Sequence, residues 1–306
     1  MLDLRRLAVF RAVADQGSFS AAALELAYTQ SVVSHHVAQL ERELGVTLIE
    51  RGRRPVRLTP AGERLHAHAG TILGAARTAE TDLRAVAGLE AGTLRVGAFL
   101  TACASFVPAA IGAFAAEHPG LDVRVDQVEP PLAVPRLVDG DLDVAVIYRD
   151  EGTTPPDPRL ADRKLGDDPY RVALPPVHRL ARRREVALAD LRDERFAAPR
   201  AAGGGLQYRA LIERLCADAG FTPDFAYALE DVTVARGFVA AGLTVAVMPE
   251  MTIQHPRPDV VVKPLRDITL SRTVHALWIA DRVTPGIGPM VAALTAAAER
   301  RLTGPC

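Results

Sequence analysis

Lysine is nearly absent from this chain. Only Lys164 and Lys263 stand among 36 basic residues, and the rest are arginine. With alanine so frequent, the bias reads as one of codon composition and carries no functional signal. Surplus charge is missing too. A formal net charge of −1 over 306 residues excludes a basic nucleic-acid coat protein, so any DNA-binding charge has to be local. Cysteine is scarce: Cys103, Cys216 and Cys306 give neither a disulfide framework nor a CxxC metal spacing. A reducing cytosol is the compartment that fits. No apolar run reaches the ~18 residues that span a bilayer, so no membrane contact is expected. The opening MLDLRRLAVFRAVADQGSF is too polar and too periodic for a signal peptide. The chain is expected to be cytoplasmic.

Catalytic signatures are lacking as well. There is no GxSxG elbow, HExxH, P-loop or GxGxxG. Gly203-Gly204-Gly205 has no following Lys-Ser/Thr, so it reads as a turn and not as a phosphate loop. His66 and His68 lie two apart on a helical stretch, point in different directions, and make a poor metal pair. No catalytic residue, metal site or cofactor is expected, and the chain is not expected to be an enzyme. Cys103 and Cys216 sit within apolar helical runs and read as buried spectators, not as a redox pair.

What is present begins with helices. Leu4, Leu7, Ala8, Phe10, Arg11 and Ala14 recur at helical spacing, closed by Gly17. Ser18 suits the N-cap of a second helix over 20–26. A third is expected from about Thr29 to Leu44, with Gly45 as its C′ residue. On that third helix Val33, Val37, Leu40 and Leu44 are spaced to face inward. Gln30, Ser31, Ser34, His35 and Ala38 fall on the other side. Small polar residues there allow close approach to a major groove and offer hydrogen bonds to base edges and phosphates.

Two short β-type runs follow, at 46–49 and 56–59, around a Gly/Pro turn. They read as a hairpin wing. Arg51, Arg53, Arg54 and Arg57 lie in or beside the turn. On a solvated loop they would repel one another, whereas against a phosphate backbone each can replace a counterion.

The segment SFSAAALELAYTQSVVSHHVAQLERELGVTLIERGRRPVRLTPAGE resembles the DNA-binding domain of LysR-type transcriptional regulators. The resemblance rests on Ala21-Ala22, Leu24, Gln30-Ser31, Ser34, Leu40-Glu41, Glu43-Leu44-Gly45-Val46, Leu48, Glu50-Arg51 and Leu58-Thr59-Pro60-Ala61-Gly62. It implies that Gln30, Ser31 and Ser34 contact DNA. His35 departs from the family's frequent arginine; it keeps one hydrogen bond but not a permanent charge.

From Thr59 and Pro60 a long helix is expected to about Gly88, roughly 43 Å at 1.5 Å per residue. Leu65, Ala69, Ile72, Ala76, Ala79, Leu83 and Val86 alternate at spacings of four and three, a heptad seam. A seam on so long a helix points to pairing with a second copy, as the resembled family does, in a homodimer or homotetramer.

Beyond Gly92, strands alternate with helices. Strands are expected at 93–99, 121–129, 142–148, 170–174, 196–198, 225–229, 243–248, 260–265 and 272–280. Helices are expected at 106–117, 132–138, 206–219, 232–241 and 287–302. The alternation argues for parallel sheets in two α/β lobes. Leu94-Arg95-Val96-Gly97-Ala98, His118-Pro119-Gly120, Gly140-Asp141-Leu142-Asp143 and the stretches Val239–Leu243 and Met248-Pro249 resemble recurring phrases of the same family's effector domain. The expected organisation is a winged helix-turn-helix over 1–59, a dimerising helix over 60–88 and a two-lobed α/β effector domain over 89–306. Lobe one covers about 92–162 and 268–303, and lobe two about 163–267.

Ligands of open α/β sheets sit beyond the carboxyl ends of strands, near helix N-termini. That rule nominates Thr101, Glu129, Tyr148, Arg200 and Thr233 for a small-molecule effector. Pro130-Pro131 stand where a backbone N–H could meet an anion, and proline has none. The function that follows is regulation of transcription through double-stranded DNA, with RNA polymerase as a further expected partner. A solute-binding protein of the same two-lobed fold is the alternative.

Overall fold

The computed structural model describes residues 2–50, 55–86, 92–150, 157–198, 204–229, 232–253, 257–266, 268–282 and 284–302. The contacts divide the chain into two units, 1–92 with 135–143 and 282–285, and 93–134 with 144–281 and 286–306.

The first unit opens with three helices whose ends are fixed by local chemistry. Helix α1 (Leu4–Gln16) starts at Asp3, whose carboxylate accepts from the Arg5 and Arg6 N–H groups. It stops at Gly17, φ +58°, a backbone region that costs an L side chain about 1–2 kcal/mol. Helix α2 (Phe19–Glu25) is capped by Ser18 and α3 (Gln30–Leu44) by Thr29, each hydroxyl accepting a first-turn N–H. Gly45 ends α3 in the left-handed region. Leu7, Phe10, Val13, Ala22, Val33, Val37 and Leu40 make the core between them. Two expectations shift. Val9, Ala12 and Val13 are buried on α1 while Leu4 is exposed, so the inward stripe lies further round the helix. Leu44 is 40% exposed, because α3 has by then run past the elements it covers.

The wing is anchored to α3 by Glu41. Its Oε1 accepts from the N–H of Leu48 at 2.7 Å and of Ile49 at 3.2 Å. Ile49 pairs antiparallel with Leu58, and the Glu50 N–H donates to Arg57 O at 2.9 Å.

Helix α4 (Pro60–Val86) begins under the Thr59 hydroxyl, which accepts from Gly62 N. Ala69 and Leu73 are buried in the first unit's core, and Leu65 and Ile72 are partly buried against it. Further along, Gly70 and Gly74 give the helix a bare strip. A Cβ on Gly70 would lie 2.2 Å from the Asp139 side chain, and one on Gly74 2.5 Å from Asp139 O. Segment 135–143 is held there by Arg11 and Arg77, which both donate to the Asp141 carboxylate.

The second unit is built on a seven-stranded sheet, with strands β1 (Gly92–Ala98), β2 (Leu121–Gln127), β3 (Val144–Asp150), β4 (Leu160–Leu174), β7 (Ala246–Pro249), β8 (Val261–Pro264) and β9 (Ser271–Ile279). The order is β2-β1-β3-β9-β4-β7, with β8 also on β4. Strands β5 (Arg195–Ala198) and β6 (Asp224–Ala228) form a separate parallel pair. Helices α5 (Leu100–Ala104), α6 (Val107–Glu117), the first half of α7 (Pro130–Val138), α8 (Gly204–Asp218), α9 (Val232–Ala240) and α10 (Ile287–Leu302) complete it.

The expectation of parallel sheets is corrected here. β1 and β3 are parallel, but β9 is antiparallel to β3 and β4, and β4 is antiparallel to β7 and β8. β8 and β9 do not pair with each other: both run antiparallel to the long β4, along its residues 171–174 and 160–169, without the helical crossover that a parallel return needs. The expected strand at Tyr170 begins ten residues earlier, at Leu160, and joins both parts of the sheet. Gly204 and Gly205 open α8, so the glycine run is not wholly a turn.

Leu94, Val96, Phe99, Phe106, Phe114, Val274, Met290 and Leu294 pack one core, and Tyr170, Val172, Phe196, Ile212, Cys216 and Val247 another. Among the described residues no helix is long and apolar enough to cross a membrane.

Candidate nucleic-acid interface and binding cleft

The outer face of α3 is small and polar. Gln30, Ser31, Ser34, His35 and Ala38 are exposed, and Val33 and Val37 behind them are buried. The Ser20 hydroxyl donates to Gln30 Oε1 at 3.2 Å, which orients the amide and leaves its nitrogen for a further acceptor. Ser31 and Thr29 hydroxyls are 2.9 Å apart at the helix start. A concave groove runs beside this face, lined by Ser18, Ser20, Gln30, Ser34, Glu41 and Pro55 among others. It joins α2, α3 and the wing in one surface. Arg57 is exposed on the wing; Arg51, Arg53 and Arg54 lie outside the described residues.

In the second unit, the carboxyl ends of β1, β2 and β3 bring three of the nominated residues together. Thr101, in α5 just past β1, is buried, and its hydroxyl accepts from Arg272 Nη2 at 2.8 Å. Arg272 on β9 also donates from Nε to Asp168 Oδ2 at 2.9 Å. Asp168 on β4 is fully buried, and its other oxygen accepts the Met251 N–H at 2.8 Å. Burial pushes the Asp168 carboxyl up, while Arg272 pulls it back. The guanidinium lies 4.4 Å from the Tyr148 ring centre and 5.0 Å from that of Phe99. Tyr148 Oη donates to Glu129 Oε2 at 3.4 Å, and Leu100 N–H donates to Glu129 Oε1 at 3.3 Å. Arg200 lies outside the described residues, as does the Thr233 side chain at the start of α9.

Sequence reading missed Arg272, Asp168 and Phe99. A signal for Arg272 existed: on β9 the buried positions alternate through 272, 274 and 276, so an arginine stands in an inward register.

For Cys103 and Cys216 burial favours the thiol form. Cys216 is pushed up to about 11 by desolvation. Cys103 is raised by burial and by the nearby Glu129 charge. His66 Nε2 meets Asp15 Oδ1 at 2.6 Å. Among the described residues no group of three or more His, Cys, Asp or Glu is placed to hold a metal.

A helix-turn-helix with a wing, followed by an α/β domain with a polar cluster at its strand ends, defines a DNA-binding regulator that carries its own small-molecule domain. Residues 4–63 match the bacterial regulatory helix-turn-helix protein family of lysR type, and residues 87–299 match the LysR substrate binding domain. The chain belongs to the LysR family, and it is a transcriptional regulator of that type. It is 30% identical over 284 residues to the transcriptional dual regulator GltC of Bacillus subtilis, with 92% of each chain covered. It is 32% identical to the regulator CfxR of Cupriavidus necator, over 82% of this chain and 77% of that one. Among solved structures, full-length CbnR complexed with its target DNA is 25% identical with a TM-score of 0.66, covering 96% of this chain and 99% of that one. A full-length OxyR variant from Pseudomonas aeruginosa shares the fold at 24% identity and a TM-score of 0.70, covering 98% and 96%. The helix-turn-helix match favours the regulator over a solute-binding protein of the same two-lobed fold.

Proposed function

We propose that this regulator reads double-stranded DNA with Gln30, Ser31, Ser34 and His35 on α3. Arg57, with Arg51, Arg53 and Arg54, neutralises phosphates from the wing. The observation that carries this reading is the exposed face of α3, which has no bulky or acidic side chain at 30, 31, 34, 35 or 38 and so admits a groove floor. A small-molecule effector binds beside Thr101, Glu129 and Tyr148, with Arg272 behind them and Arg200 and Thr233 from the remaining loops. A ligand that prefers one arrangement of that cleft shifts the population of regulator states. The working divisions are 1–59 for DNA, 60–88 for dimer pairing and 89–306 for the effector, with lobes at about 92–162 plus 268–303 and 163–267. The exposed Ala79 and Leu83 on α4 are the open part of the seam for a second copy. The protein acts in the cytoplasm, without a catalytic step, and RNA polymerase is a further partner.

Selection of bound duplexes from a randomised pool by the full-length chain tests this. Enrichment of a motif with two related half-sites is the expected result. A bound population indistinguishable from the input pool would remove the reading.

A further inference from the structure

We infer that the cleft is built for a cationic ligand, an amine or amidine, with Glu129 as its counter-charge. This rests on the cleft reading above and adds the sign of the ligand's charge.

Glu129 is a half-buried carboxylate whose oxygens, among the described residues, meet only neutral donors, the Leu100 N–H and the Tyr148 hydroxyl. Both bonds are long, at 3.3 and 3.4 Å. An ionised carboxylate offers about four acceptor sites, so capacity is left over. Among the described residues no arginine, lysine or histidine makes an ion pair with it. Arg272, the cation of this network, is paired elsewhere. Its Nε donates to Asp168 and its Nη2 to Thr101, and its face lies against Tyr148 and Phe99. Among the described residues Asp168 and Arg272 neutralise one another, which leaves the Glu129 charge unbalanced at the strand ends.

Two positions that could greet an anion are closed. The first N–H of α5 is occupied by the chain's own Glu129. Helix α7 opens with Pro130 and Pro131, which have no N–H to offer. An incoming carboxylate would have to displace Glu129 or lie against it, and like charges in a partly buried site repel strongly. An ammonium meets the opposite situation. It pairs with a carboxylate that has no counter-ion among the described residues, in surroundings drier than bulk water, beside the aromatic ring of Tyr148.

The test uses the full-length chain and two pairs of probes matched in skeleton and opposite in charge: benzylammonium with benzoate, and butane-1,4-diammonium with succinate. Isothermal titration is run on the wild type, Glu129→Gln and Thr101→Val, with circular dichroism to confirm that each is folded. We expect at least one ammonium probe to bind the wild type and its paired carboxylate not to. Glu129→Gln should weaken the ammonium about tenfold or more. Carboxylate binding that Thr101→Val abolishes, with neither ammonium bound, would overturn the charge assignment and leave the cleft in place. Ammonium binding unchanged in both variants would put the ligand elsewhere and overturn both. Failure of both ammonium probes to bind overturns the charge assignment.

Discussion

Gly62 lies against the backbone of Leu48 so closely that a Cβ at 62 would sit 2.0 Å from the Leu48 carbonyl oxygen. That oxygen accepts the Thr59 N–H at 2.9 Å, so it cannot simply turn away. The contact fixes where the first strand of the wing meets the start of α4. Gly62→Ala should therefore push the wing and α4 apart and cost about 1–3 kcal/mol, as overpacking does. Urea unfolding of the variant measures it. A midpoint equal to wild type would show that the contact is softer than the geometry states.

The buried Arg272–Asp168 pair makes a sharper claim about the cleft. Arg272→Met leaves the fully buried Asp168 without its guanidinium and should destabilise the chain by about 3–5 kcal/mol. Replacing both, as Asp168→Leu with Arg272→Met, should recover most of the loss. Thermal unfolding of the single and double variants checks this. A double variant no better than the single would mean that the charge is not what the pair satisfies.

How much of this was legible in the sequence depends on the range of the forces involved. Gly17, Ser18, Thr29 and Gly45 mark the ends of α1 to α3 through bonds to residues a few positions away, so the helix-turn-helix could be read directly. Ala27 stands at φ +53° in the turn between α2 and α3, which nothing in its own chemistry announces. The start of β4 was hidden because Asp162, Arg163, Lys164 and Asp167 look like a loop; they are a strand because β9 pairs with them. Thr101, Glu129 and Tyr148 followed from strand ends. Asp168 did not, because its partner Arg272 is far along the chain and on another strand. The seam on α4 was visible as a period, but a period does not say what it faces. Ala69 and part of Ile72 face this chain's own α1.

Pairing is therefore better probed further along α4. Ile72→Asp would place a charge in the first unit's own core, so loss of assembly there would be confounded by unfolding. Leu83 is 69% exposed and carries no such burden. Leu83→Asp should weaken the dimer while the helical signal is retained, since a full Leu contact is worth roughly 1.5–3 kcal/mol and a charge would face its symmetry mate. Sedimentation across a concentration series checks it. An unchanged oligomer would move the dimer contact off α4.

His275 gives the chain a pH dependence of definite sign. Burial lowers its pKa below the usual 6.5, outweighing Asp162, which raises it; Arg149 and Lys164 lower it further. The unfolded chain thus binds a proton more readily than the folded one, and stability falls as pH drops below about 6.5. His275→Gln should flatten that part of the profile. Chemical unfolding at pH 5.5 and pH 7.5 would show it as a smaller difference between the two conditions, and a wild-type difference retained in the variant would assign the effect elsewhere.

The central prediction is that the small polar face of α3 reads DNA. Fluorescence anisotropy of the pool-selected duplex, with wild type and Gln30→Glu at several salt concentrations, tests it most directly. Gln30→Glu should lose the preference for that duplex over a scrambled one, through a lost contact of about 1–3 kcal/mol and phosphate repulsion. Salt-dependent binding through the wing arginines should persist in the same variant. A Gln30→Glu protein that binds the selected duplex with wild-type affinity and preference would contradict the assignment of α3 as the recognition helix.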